Sequence, residues 1–146
     1  MIDPIFSKLL DNGRKLPAGE LQRQVFMRFP QAVQDAGFEL AVPGTPFPSD
    51  RLVIGVGTYV SLEMVLLDRI REKVLVLPIP EWEGKIFVFD MLSCASNDDI
   101  EELVPGVGRV LQTPVVGLWQ GGMPLKSVCG WQATRFLCQL FGIEVE

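Results

Sequence analysis

Hydrophobic positions along the chain change period several times, and each change marks an expected element. Asp3-Pro4 reads as a helix cap and first helical position. It leads a short helix to about Leu10 that ends at Asp11-Asn12-Gly13. Pro17 opens a second helix to about Arg28, with Leu21, Val25 and Phe26 on its apolar face. Pro30 breaks or restarts it, leaving one further turn over Gln31–Asp35. Phe38–Val42 alternates as a short strand, and VPGTPFPSD, residues 42–50, is a Pro/Gly loop. Arg51–Val56 is a continuous apolar strand, GVGTY a loop, and Ser61 a cap for a helix to about Lys73. In that helix Leu62, Val65, Leu66, Leu67 and Ile70 cover more than half the circumference, and Met64 is apolar on the far side. Such a helix packs on more than one side.

Val74–Ile79 and Lys85–Met91 follow as strands, with EWEG as the turn between them. Asn97 or Asp98 caps a short acidic helix to about Leu103, which Pro105-Gly106 ends. Thr113-Pro114 then leads an apolar strand, Val115–Trp119, with Gly121-Gly122 as a turn and a second extended run over Leu125–Cys129. The terminal helix, WQATRFLCQLF, carries Ala133, Phe136, Leu137 and Leu140 as one stripe toward the sheet. Trp131, Cys138 and Phe141 form a second apolar side. That side is either a partner or dimer contact or the margin of a wide core stripe covered by the N-terminal helices.

The 146 residues suit a single domain. Apolar content of 48% against 21% charged residues indicates a packed core. A net charge of -5 without a Lys/Arg cluster argues against nucleic acid or an anionic membrane as partner. The longest apolar stretch, Leu52–Leu67, is interrupted by Gly55, Gly57, Ser61 and Glu63, so it is no membrane span. The N-terminus lacks the features of a secretory signal, and three scattered cysteines suggest no disulfide framework, which makes a cytoplasmic location the expectation.

Histidine is absent, which removes Ser-His-Asp and Cys-His catalysis and any His-containing zinc site. No metal or cofactor is implied, and the reading leans away from an enzyme. Gly55-X-Gly57 before a helix lacks the third glycine of a dinucleotide motif and the lysine of a P-loop, so a tight strand-to-helix turn accounts for it better. Cys94, in SCAS, needs a lowered pKa to act as a nucleophile, and the acidic helix beside it opposes one. Asp98, Asp99, Glu101 and Glu102 fit the dipole of that helix better than a cation site. Trp82 reads as an exposed turn residue.

The succession KIFVFDM, DDIEELV, an X-Pro step, VVGLWQ, a glycine turn, a strand ending in Gly130 and a final helix resembles the C-terminal half of the thioredoxin fold. The likeness covers residues 85–142 and more loosely 51–73. It implies an α/β domain over residues 1–146, with a thioredoxin-like mixed sheet flanked by helices and extra N-terminal helices over residues 1–37. It also implies a cis bond before Pro114, where ordinary X-Pro statistics favour trans. It further implies that Thr113 offers backbone groups to a bound peptide, with Thr58, Tyr59 and Ser61 beside it. The family's Cys-X-X-Cys position holds GVGTYVS instead, which excludes dithiol exchange by the family route.

The expected function is therefore a non-catalytic interaction module, such as an adaptor, chaperone or regulatory subunit. It binds a protein partner, or a second copy, through Thr58, Tyr59, Ser61, Thr113 and Pro114, through Trp131 and Cys138, or both. Two alternatives stay open. One is a thiol-dependent enzyme or redox sensor using Cys94; the other is a small-molecule or nucleotide binder at the Gly55–Ser61 turn.

Overall fold

A computed structural model describes residues 4–13, 18–57, 60–76, 85–110 and 112–143. In chain order these form α1 (Phe6–Gly13), α2 (Ala18–Asp35), β1 (Glu39–Leu40), β2 (Arg51–Val56), α3 (Ser61–Val76), β3 (Lys85–Asp90) and a 3-10 turn over Met91–Ser93. Then follow α4 (Asn97–Leu103), β4 (Val115–Gln120), β5 (Met123–Cys129) and α5 (Trp131–Phe141). The strands make one sheet in the order β1-β3-β2-β4-β5. β1, β3 and β2 run parallel, while β4 is antiparallel to β2 and β5 antiparallel to β4. The protein is thus a mixed α/β sheet flanked by helices, an arrangement compatible with a thioredoxin-like fold.

β2 reads as an unbroken apolar run because both of its faces are covered. Leu52, Ile54 and Val56 point into the larger core, with Phe6 of α1, Val25 and Phe29 of α2, Met64, Leu67 and Ile70 of α3, and Leu137 of α5. Val53 points the other way, with Phe87, Phe89, Val115 and Trp119 and with Ile100 and Leu103 of α4. The period of two along a pleated strand assigns alternate residues to opposite layers, so one strand serves both cores. The β4–β5 hairpin closes through Gly121 and Gly122 at φ 59° and 77°. A two-residue turn with both φ angles positive matches the twist of the strands, and glycine adopts it without steric cost.

Four expectations need correction. Pro30 does not break α2, which runs through it from Ala18 to Asp35. Val25, Phe29, Ala32, Val33 and Ala36 all enter one core, and that burial outweighs the roughly 3 kcal/mol that an interior proline costs. Phe26 lies outside this face and is exposed, with Phe29 in the buried role. The strand expected from Val74 begins instead as helix, since α3 continues to Val76; the rest of that stretch, the EWEG turn and Trp82 lie outside the described residues. Finally, within α3 Met64 is fully buried while Leu62 and Val65 face solvent. The buried arc is rotated by about one residue from the one that hydrophobicity alone suggests.

The N-terminal helices are tied down by polar as well as apolar contacts. Asp68, on α3, accepts the N–H groups of Ile5, Phe6 and Ser7 at 2.8, 2.9 and 2.9 Å and the Ser7 hydroxyl at 2.7 Å. The first N–H groups of a helix have no partner within it, and here a carboxylate sixty residues along the chain supplies one. Asp3, expected as the cap, lies outside the described residues.

Candidate functional site

The C-terminal end of β2 and the N-terminal end of β4 meet at one edge of the sheet, and α3 begins between them. Val60 caps α3 through its backbone: its carbonyl accepts from Glu63 and Met64 N–H at 3.1 and 3.2 Å. Ser61, expected as the cap, is instead the first helical residue. Glu63 therefore sits three residues past the cap, the position from which a glutamate side chain folds back toward the preceding turn. Its Oε1 accepts the Gly57 N–H at 2.9 Å, and its Oε2 accepts the Thr113 hydroxyl at 2.7 Å. One carboxylate thus joins the β2–α3 turn to the segment that leads into β4.

Glu63 is only 6% exposed. Loss of water pushes its pKa above the ordinary glutamate range, and the two hydrogen bonds from Gly57 and Thr113 only partly oppose that shift. The same geometry speaks against an anion at this turn. The Gly57 N–H, which an anion at this turn could have used, is already taken by a carboxylate of the chain itself. Gly55 has a packing reason of its own. A Cβ there would lie 2.2 Å from the Phe89 ring, so the glycine makes room for an aromatic neighbour on β3.

The Thr113–Pro114 peptide bond is cis. Pro114 is buried, Thr113 half-buried, and the Pro114 carbonyl accepts the Gly130 N–H at 2.8 Å. That bond brings the start of α5 alongside Pro114. Trp131, the next residue, is 57% exposed, and on the other flank Leu62, next to Glu63, is 82% exposed with Val65 one turn further on. Leu62 and Trp131, the sequence neighbours of Glu63 and Gly130, thus both face solvent. Cys138 is elsewhere: it lies in the main core with Phe141, Ala133 and Leu137, because α5 packs against α3 as well as the sheet. Of the second apolar side of α5, Trp131 alone faces solvent. Thr58 and Tyr59 lie outside the described residues, as does the side chain of Ser61.

No known protein family, curated protein or solved structure matches the chain.

The remaining candidates are placed away from this edge. Cys94 follows the 3-10 turn and is half-buried. Burial raises its pKa, as do Asp99 and Asp90, against a hydrogen bond with Ser93 that lowers it. That is the opposite of what a nucleophilic thiol requires. Three acidic residues of α4 act as ties to neighbouring backbone. Asp99 accepts from Ala95 N–H, Glu101 from Gly106 and Gly108 N–H, and Glu102 from Gly44 N–H. Among the described residues no three Cys, Asp or Glu side chains gather as a metal site, and no helix is long and apolar enough to cross a membrane.

Glu63 is the residue at this edge that hydropathy does not reveal. A glutamate in the first turn of a helix is expected to face solvent beside the positive end of the dipole. No capping-box signature marks it either, since position 60 is Val and the carboxylate reaches Gly57 N–H rather than the cap residue's own.

Proposed function

We propose that the protein is a non-catalytic, thioredoxin-like interaction module that binds an extended segment of a protein partner across Thr113. The observation that carries this reading is the buried Glu63 carboxylate. It accepts both Gly57 N–H and the Thr113 hydroxyl, and so fixes the approach to β4 beside residues whose sequence neighbours, Leu62 and Trp131, are exposed. A rigid polar edge flanked by apolar side chains is what an extended peptide needs: backbone groups for register and apolar contacts for affinity. An exposed tryptophan next to such an edge is a strong anchor, because it contributes large contact area at low conformational cost. The strand order supports the thioredoxin-like assignment, and the absence of cysteine between Val56 and Ser61 supports binding without dithiol exchange. The raised pKa of Cys94 argues against the enzyme alternative.

The test is affinity capture from the native host with the intact chain as bait, alongside Thr113→Arg and Trp131→Asp. The expected result is a protein whose recovery both substitutions reduce at least fivefold while their melting temperatures stay near that of the wild type. Recovery unaffected by either substitution overturns the proposal.

A further inference from the structure

The outermost strand, β5, and the helix that follows it leave a groove between them. We infer that this groove binds an extended acidic segment of a partner protein, laid alongside β5. Its volume is about 300 Å³, and its walls include Lys126 and Val128 of β5 and Gln132, Arg135, Phe136 and Gln139 of α5. Thr113, Pro114 and Trp131 are not among these residues, so the groove is separate from the edge at Thr113.

Charge decides the chemistry of the occupant. The chain has a net charge of -5, yet from Pro105 to Ile143 it carries Arg109, Lys126 and Arg135 and no acidic residue. Lys126 and Arg135 are both exposed, and neither makes an ion pair among the described residues. Lys126 instead lies 5.8 Å from the centroid of the Phe136 ring, where an exposed cation gains little. A groove with a cation on each wall and no acid favours an occupant that bears carboxylates. Two cations are too few for a nucleic acid, whose affinity rests on many phosphate contacts.

Shape decides the form of the occupant. Lys126 and Val128 stand on one face of β5, opposite Leu118 and Val116 of β4. Val128 and Phe136 are half-buried against the main core and make an apolar floor, with Gln132 and Gln139 exposed on the helical wall. Their amides both donate and accept, as a peptide backbone does. β5 ends the sheet, and among the described residues no backbone hydrogen bond from outside its pairing with β4 reaches residues 123–129. Beyond Pro124 its outer edge is open to a further strand. Such a strand presents alternate side chains to the groove. The pattern it needs is an acidic residue beside Lys126 and Arg135 and, two positions away, an apolar residue over Val128 and Phe136.

The experiment is an NMR titration of the intact chain, following the Val128 methyl groups and the backbone amides of Lys126 and Val128. The probes are the end-capped peptides ETVTETV, QTVTQTV and KTVTKTV, which share one pattern and differ in charge. The acidic peptide is expected to shift these signals and to bind about tenfold more tightly than the neutral one in dilute buffer, a preference that shrinks as salt screens the charges. The double variant Lys126→Glu, Arg135→Glu, changed only at exposed positions, is expected to reverse the order, so that the basic peptide binds best. The inference is overturned if the acidic peptide at millimolar concentration leaves the signals unmoved. Equal binding of the acidic and neutral peptides by the wild-type protein overturns it as well, and that comparison needs no variant. It is also overturned if a folded double variant keeps the wild-type order, or if inorganic phosphate or duplex DNA moves the same signals at lower concentration than the acidic peptide.

Discussion

Replacing Glu63 separates what its hydrogen bonds contribute from what its charge costs. Glu63→Gln keeps an acceptor for Gly57 N–H, and its amide can donate to a Thr113 hydroxyl that turns to receive it. Glu63→Ala leaves the Gly57 N–H unpartnered in the interior, at about 1–3 kcal/mol. It also frees the half-buried Thr113 hydroxyl, which regains water at a smaller cost, so the total is about 2–4 kcal/mol. The charge acts in the other direction. The folded-state pKa of Glu63 lies above its unfolded value of about 4.3, because the buried carboxylate has lost its water. Between those two values the folded chain binds more protons than the unfolded chain, and stability falls as pH rises. The contribution of protonated Glu63 is present in full below the unfolded value and is lost as pH climbs through the folded one. Glutamine does not titrate. Urea unfolding followed by tryptophan fluorescence from pH 4 upward therefore has a definite expected outcome. Glu63→Gln gains on the wild type as pH rises, while Glu63→Ala is less stable than Glu63→Gln throughout. If Glu63→Gln is less stable than the wild type by the same margin at every pH, the carboxylate is stabilising as an anion and the reasoning is wrong.

Two further outcomes are expected. Asp68→Ala removes the single acceptor shared by Ile5, Phe6 and Ser7; with about 1 kcal/mol typical for a lost cap and more for charge-assisted bonds, the loss is about 2–3 kcal/mol. Urea midpoints measure it, amide exchange of residues 6–13 should accelerate in step, and a change below about 0.5 kcal/mol would show that α1 is held by Phe6 packing alone. Cys94, with its pKa held up by burial and by Asp99 and Asp90, should alkylate more slowly at pH 7 than a free cysteine and speed up only above about pH 8.5; rapid alkylation at pH 7 would revive the thiol-enzyme reading.

How much of this was legible beforehand depends on whether a residue's neighbours are local. The strand Arg51–Val56 and the helix Trp131–Phe141 were readable in full, since an apolar run bounded by loop residues and a glycine before a periodic stretch are local signals. β5 starts two residues earlier than Leu125, because Pro124 hides a strand that tolerates it at the sheet's edge. The continuation of α2 through Pro30 and of α3 through Val76 were not readable, because tertiary burial decides them against local propensity. The same holds at the site. Thr113 and Trp131 could be named from sequence, but the atoms that organise them belong to Glu63, fifty residues from Thr113. Cys138 was assigned to the same apolar side as Trp131 by angle alone, and the packing of α3 on α5 separated them.

The position of β5 at the end of the sheet has a consequence for how copies of the chain meet. An outer strand is a template on which another strand can add, and a protein with 48% apolar residues is exposed to that hazard. β5 carries Pro124, which has no N–H to offer, and the exposed cation Lys126, while a register shift between Leu118 and Trp119 bends the hairpin away from flatness. Sheet-to-sheet polymerisation is thus discouraged at the β5 edge.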